Sequence, residues 1–241
     1  MKKSYRYHME QVASVSNRIG SLLYTTSQGG NISCRLPDGM IAITPSKRNK
    51  RLLKPDEICI VDMSGKAVRI KSGFSISSEF TVHSRIYETR EDVNAIIHAH
   101  PPLATGIAIA HSDILEKPVL PESCMELGPV LSVPYIEPGS EELANRISEL
   151  TKRTNTVLMQ NHGALVVSGE GIYRAMELLE LLEVTAASLI TARIFGEINI
   201  IPQAEMARLS YLYRLRGVKA PGKDGYYEEA SEAFLNHDAR T

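Results

Sequence analysis

Two closely spaced pairs of short alternating runs, each pair closed by a turn signature, set the strongest limit on what this chain can fold into. Residues 31–36 and 40–44 flank Pro37-Asp38-Gly39, and residues 57–62 and 66–70 flank Met63-Ser64-Gly65. Runs this short, joined by so few residues, favour antiparallel pairing, because a parallel connection needs a crossover of a dozen or more residues. An antiparallel sheet is therefore expected early in the chain.

Helical spacing surrounds these runs. Met9, Val12, Ala13, Ile19, Leu22 and Leu23 predict an amphipathic helix over 7–26, ended by Gly29-Gly30. Ser77-Ser78-Glu79 predicts a helix through about Arg90, with serine as N-cap and Glu79 in the first turn. Residues 94–98 read as a buried strand ending near His100, with a helix after Pro101-Pro102. Further on, 131–135 is strand-like and 140–153 helical, with Glu141 and Glu142 in the first turn. Two more strands, 156–160 and 164–167, are interrupted by Asn161-His162-Gly163, and helices follow over 172–195 and 203–215. The expectation is one α/β domain over residues 1–220, a largely antiparallel sheet covered by helices. From Pro221 the chain is rich in glycine and charge, so 221–241 is expected as a tail that orders only against a neighbour.

Bulk properties narrow the function classes. A formal net charge of −1 over 241 residues gives a nucleic-acid partner no support. No run approaches the ~18–20 apolar residues of a membrane helix. The basic start, Met1-Lys2-Lys3-Ser4-Tyr5-Arg6, leads into a mixed polar segment rather than the apolar core of a signal peptide. Cys34, Cys59 and Cys124 stand too far apart for a zinc or redox motif and read as small buried hydrophobes in a reducing cytoplasm.

His98-Ala99-His100-Pro101 is the most informative local feature. On a strand, residues two apart point to one face, so both imidazoles can reach one ion. Zinc accepts imidazole nitrogen, and a catalytic site usually takes three protein ligands and keeps a position open. His162, on a loop beside Gly163, supplies a candidate third imidazole, and Glu79 a candidate carboxylate. Spacing alone also allows solvated or core-satisfied histidines and an ordinary first-turn acid.

Six segments in order carry a resemblance: Gly30-Asn31-Ile32-Ser33-Cys34-Arg35, Ile43-Thr44-Pro45-Ser46, Ile60-Val61-Asp62 with Gly65-Lys66, Ser77-Ser78-Glu79, His98-Ala99-His100-Pro101 and Asn161-His162-Gly163. On these the chain resembles the class II aldolase/adducin family. The resemblance implies a three-layer α/β/α fold with a predominantly antiparallel central sheet, in a homotetramer with active sites at subunit interfaces. It implies His98, His100 and His162 as ligands of a divalent metal, Zn²⁺ with Mn²⁺ or Co²⁺ as alternatives. Glu79 would be the catalytic acid/base and a metal ligand when substrate is absent, and Asn31, Ser46, Ser77 and Ser78 would bind the substrate phosphate.

The chain departs from the family pattern in two places. Lys47 stands where many members have glycine, which leaves three readings: a different turn of the loop, charge added to the phosphate site by Lys47 or the adjacent Arg48, or a plain solvated basic loop. The stretch Leu120-Pro121-Glu122-Ser123-Cys124-Met125-Glu126 lacks a tyrosine found in the best-known aldolase, leaving Glu122 as a candidate acid from a neighbouring subunit or a surface residue. Tyr211 and Tyr213 lie where the family has another tyrosine, and also fit simple helix packing. The function implied is cleavage of a ketose 1-phosphate of the fuculose, rhamnulose or deoxyribulose type to dihydroxyacetone phosphate and an aldehyde. Alternatives on the same site are a methylthioribulose-1-phosphate dehydratase, a pentulose-phosphate 4-epimerase and a phospho-sugar acid decarboxylase; glutamate rather than aspartate at Glu79 favours aldolase over epimerase. A non-enzymatic adducin-like module would be expected to have lost the histidines, and all three are present.

Overall fold

Alternation along the strands decides how the helices are distributed. In a computed structural model, which describes residues 3–217 together with 219, 222, 232 and 234, eight strands form one sheet. They are β1 (Asn31–Arg35), β2 (Ile41–Ile43), β3 (Cys59–Val61), β4 (Ala67–Arg69), β5 (Ala95–Ala99), β6 (Leu131–Val133), β7 (Thr156–Met159) and β8 (Gly163–Ser168), in the order β4-β3-β2-β1-β5-β8-β7-β6. Both predicted hairpins form, with Ser33 opposite Ile43 and Ile60 opposite Arg69. Every neighbouring pair is antiparallel except β6–β7.

Odd and even positions of β5 face different cores. Ala95, Ile97 and Ala99 join Ile32, Ile60 and Val166 beneath α1 (Lys3–Ser21), α3 (Pro102–Ile109) and α6 (Ile172–Phe195). Ile96 joins Ile43, Val157 and Leu165 beneath α2 (Phe80–Thr89) and α5 (Glu141–Thr151). A period of two on a sheet covered on both faces produces this division, and three layers result. A short α4 (Pro121–Glu126) and α7 (Gln203–Leu215) pack together at one side, around Cys124, Met125 and Met206.

Two expectations need correction. The first helix runs over Lys3–Ser21 and stops before Leu22 and Leu23, which are exposed; Leu23 takes a left-handed conformation (φ 61°) that turns the chain toward the sheet. The segment 121–126, for which no element was expected, is helical, begun by Pro121 at the first helical position, where its missing N–H costs nothing. The helix after Ser77-Ser78-Glu79 starts at Phe80, so Glu79 is its cap residue rather than part of its first turn. Ser77 Oγ accepts the Glu79 N–H at 3.3 Å, while the Glu79 carboxylate makes no cap hydrogen bond and turns elsewhere. The expected tail over 221–241 lies outside the described residues, apart from Gly222, Glu232 and Phe234.

One buried acid anchors the segment after the second site histidine. Glu183 of α6 is 7% exposed and accepts the backbone N–H groups of Leu103 and Ala104, both at 2.9 Å, at the start of α3. A carboxylate at a helix N-terminus satisfies orphan donors and matches the helix dipole. The pairing fixes α3 directly after His100-Pro101, at the edge of the site.

Candidate metal centre

β1 and β5 are neighbours, and their register places Asn31 opposite His98. Both side chains, with Ser33 two residues on, lie on the face covered by α2. His98 is 3% exposed and its Nδ1 lies 2.9 Å from the Ala164 carbonyl, which fixes the proton on Nδ1 and leaves Nε2 with a free lone pair. His100, just beyond the end of β5, is held by its own N–H donating to Tyr24 O at 2.7 Å. His162 sits in the tight β7–β8 turn, where Asn161 takes a left-handed conformation (φ 56°) and the His162 N–H donates to Met159 O.

These three elements bring the imidazoles together. Ring centroids are 4.8 Å apart for His98–His100, 4.7 Å for His98–His162 and 5.5 Å for His100–His162. One nitrogen from each ring falls within 4.8 Å of the other two. His98 Nε2 and His162 Nδ1 are buried without a hydrogen-bond partner. Buried polar atoms are almost always satisfied, and the orphaned His98 Nε2, which faces Glu79 together with His162 Nε2, fits a cation at that point. Burial first, then the neighbouring imidazoles, pushes His100 down to about 3, and burial with His98 pushes His162 down to about 4. Both therefore stay neutral at ordinary pH, as metal ligands must. The donor set suits zinc and also accommodates Mn²⁺ or Co²⁺.

Glycine is required on both sides of the cluster. A Cβ on Gly163 would stand 2.5 Å from His100 Cδ2 and 2.6 Å from Ala99 O. Gly30 has φ 67°, and a Cβ there would stand 2.7 Å from His98 O.

Glu79 closes the group. Its Oε2 lies 3.3 Å from His98 Nε2, its Oε1 lies 3.6 Å from His162 Nε2, and Asn31 Nδ2 donates to Oε2 at 2.5 Å. Burial raises the carboxyl pKa, but His98, His162 and the Asn31 hydrogen bond together hold it below its ordinary value. Behind it runs a chain that the sequence reading missed. His83 Nε2 meets Asn31 Oδ1 at 2.5 Å, His83 Nδ1 meets Ser33 Oγ at 2.6 Å, and Ser33 Oγ meets Tyr87 OH at 2.8 Å. His83 and Tyr87, four apart on one face of α2, were the available signal.

Beside the cluster opens a cavity of about 290 Å³, whose lining includes Glu79, His100, His162, Asn31, Ser46, Lys47, Ser77 and Ser78. Lys50 also lines it and was likewise missed as a site residue. Lys47 is exposed and takes a left-handed conformation, φ 52°, as a position suited to glycine would. Arg48 is engaged elsewhere: it donates to Gly73 O at 2.9 Å and stacks 3.8 Å over the Phe74 ring. Glu122 is exposed on α4 and Tyr211 half-exposed on α7, while Tyr213 packs against the small core between those helices. None of the three lines this cavity.

A three-layer α/β fold with three histidines and a carboxylate beside a polar cavity defines a class of metal-site protein. The chain belongs to the class II aldolase and adducin N-terminal domain family, whose model matches residues 10–190. It is 33% identical to an L-fuculose phosphate aldolase of Methanococcus maripaludis over 68% of this chain and 85% of that protein. It is 31% identical to a 3-oxo-tetronate 4-phosphate decarboxylase of Escherichia coli over 77% of this chain and 86% of that protein. The solved structure of an L-fuculose 1-phosphate aldolase superposes with a TM-score of 0.75 at 28% identity, covering 86% of this chain and 96% of the other.

Proposed function

We propose that the protein is a metal-dependent aldehyde-lyase that cleaves a ketose 1-phosphate to dihydroxyacetone phosphate and an aldehyde. The observation that carries this reading is the position of the Glu79 carboxylate, within 3.3–3.6 Å of two site imidazoles and at the wall of a cavity lined with hydroxyl donors. His98, His100 and His162 would hold the divalent ion, zinc by preference, which when bound supplies Lewis-acid polarisation of the substrate's oxygens. Glu79 moves the proton: as a carboxylate it takes the proton of the hydroxyl that becomes the aldehyde carbonyl while the carbon–carbon bond breaks, then delivers it to the carbon from which the aldehyde departs, and condensation reverses both transfers. The hydroxyls of Ser46, Ser77 and Ser78, the Asn31 amide and Lys47 face the same space and bind the phosphate.

The reading includes a homotetramer with active sites at subunit interfaces. It is supported by the exposed apolar end of α6, where Ile194 is 77% and Phe195 87% exposed. Exposed Glu122 and Tyr211 would then be free to reach the site of an adjacent subunit, whereas Tyr213 packs against the core between α4 and α7. The three cysteines are free and buried, which suits a reducing cytoplasm, and no described helix is long and apolar enough to cross a membrane.

A second reading, decarboxylation of a phosphorylated sugar acid, is supported by the likeness to the Escherichia coli decarboxylase. Both are tested by supplying metal-loaded protein with ketose 1-phosphates and with 3-oxo-tetronate 4-phosphate. Dihydroxyacetone phosphate from the first set is the expected result. Carbon dioxide from the second, with no cleavage of the first, would replace the aldolase reading by the decarboxylase one.

A further inference from the structure

Lys47, Arg48, Lys50, Arg51 and Lys54 form a basic run that reads in sequence as a solvated loop, yet Lys50 is only 2% exposed. Its Nζ donates to Gln28 O at 3.1 Å and to Arg48 O at 3.3 Å, which uses two of three N–H donors. No carboxylate pairs with it among the described residues. A buried cation without a counter-ion is costly, and the structure retains one at the wall of the cavity that Ser46, Ser77 and Ser78 also line. Burial pushes the ammonium down to about 8, which still leaves it charged at neutral pH.

We propose that Lys50 is the fixed countercharge for the substrate's phosphomonoester, its remaining N–H completing the set of hydroxyl and amide donors around that group. The inference rests on the sugar-phosphate reading given above. A phosphate dianion bound near the Glu79 carboxylate needs positive charge close by, and neutral serines supply none. Lys47 stands at the exposed rim, where salt screens it, whereas Lys50 lies where screening is weak. An anion entering the cavity would therefore relieve the unpaired charge of Lys50 and gain a contact that persists at physiological ionic strength. The two backbone carbonyls hold the ammonium in place before the ligand arrives, so little ordering remains to be done on binding.

Calorimetric titration of the metal-loaded protein with inorganic phosphate tests this. Lys50→Gln keeps N–H donors for the two carbonyls and removes the charge; Lys50→Arg keeps the charge. Lys50→Gln is expected to weaken phosphate binding roughly 10- to 100-fold, the factor carried by one hydrogen bond to a charged group. That loss should survive high salt, and Lys50→Arg should restore most of the affinity. A second measurement needs no variant: in the wild type, phosphate saturation should raise the pKa of the Lys50 ammonium, followed by ¹⁵N NMR of its Nζ. Wild-type affinity in a folded Lys50→Gln, or an ammonium pKa that ignores phosphate, would overturn the role of Lys50 and leave the aldolase reading standing. A wild type that binds no phosphate at all would overturn the phosphomonoester reading of the cavity itself.

Discussion

His83 Nε2 lies 2.5 Å from Asn31 Oδ1, and this contact decides which end of the Asn31 amide meets Glu79. An ionised carboxylate only accepts, so Asn31 must present its NH₂ to Glu79 and its carbonyl oxygen to His83. The proton on His83 therefore sits on Nε2, and Nδ1 accepts from Ser33, whose oxygen in turn accepts from Tyr87. Burial pushes His83 down to about 3, which keeps the ring neutral and in this tautomer. The chain from Tyr87 to Glu79 is a positioning device built from one face of α2 and one face of β1.

Replacing His83 should therefore alter the proposed proton-transfer group, Glu79, without touching His98, His100 or His162. His83→Phe fills similar volume and donates nothing, so Asn31 is free to turn its oxygen toward Glu79. The expected result is a kcat lower by roughly 10- to 100-fold, the worth of one charge-assisted hydrogen bond, with KM and metal content near wild type. The acid limb of the rate profile should move to higher pH, because the Asn31 bond is one of the causes that lower the Glu79 pKa. His83→Gln, which retains an N–H donor, should recover much of the rate. Unchanged kcat and pH profile in His83→Phe would reduce the chain to packing.

Glu79→Gln removes the proton acceptor and leaves all three imidazoles. Metal content should hold while turnover falls on the order of 10²–10⁴-fold, the range of general acid–base catalysis. Turnover within a few-fold of wild type would assign the proton to another group, with Glu122 the next to test.

The proposed metal ligands are tested most sharply through a residue that carries no ligand atom. A methyl group at Gly163 would collide with both His100 and the Ala99 carbonyl, so Gly163→Ala must displace one of them. Metal affinity is expected to fall on the order of 10- to 100-fold, as for disruption of groups that orient ligands. His98→Ala and His162→Ala should lose the ion and turnover altogether. Metal analysis of purified protein, expected at about one divalent ion per chain in the wild type, reads all three variants. Full wild-type activity after exhaustive chelation would remove the metal from the reaction.

Much of this site could be read from sequence, and the unread part has a common cause. A short apolar run places His98 on a buried strand, and Gly163 beside His162 marks a turn between two strands. The insertion of β5 between β1 and β8 could not be read, because it depends on pairing between segments more than sixty residues apart. That insertion is what sets Asn31 beside His98. Lys50 was missed for a related reason: a lysine in a basic run is ordinarily solvated, and only the approach of Gln28 and Arg48 reveals its burial. Glu79 was placed in the first turn rather than at the cap because serine capping was the stronger local signal, while the pull of two distant imidazoles is not local.

Acid should destabilise the fold through His83. Its pKa is about 3 in the folded chain, against an ordinary value of 6.5. Between those values only the unfolded chain takes up the proton, so stability is complete above about 6.5 and falls as pH drops below it. One such group steepens the loss by about 1.4 kcal/mol per pH unit. Urea unfolding of chelated protein between neutral and mildly acidic pH should show a shallower slope for His83→Phe than for wild type. Equal slopes would mean that His83 is protonated at little cost in the folded chain.

Lys47 is expected to separate backbone strain from charge. Its φ of 52° lies in the left-handed region, which costs a residue with a Cβ roughly 1–2 kcal/mol and glycine almost nothing. Lys47→Ala removes the charge and keeps the strain; Lys47→Gly removes both. If the exposed ammonium contributes at the cavity rim, both variants should raise KM for the phosphorylated substrate severalfold and change kcat less, since phosphate binding is largely uniform between ground and transition states. That loss should fade as salt is added, unlike the loss expected at Lys50, because the Lys47 charge stands in water. The glycine variant should also be the more stable of the two, and its loop should hold Ser46 in place at least as well as wild type does. Identical kinetics for wild type and both variants at low salt would leave Lys47 a solvated loop residue and place the whole of the phosphate's countercharge on Lys50 and the metal.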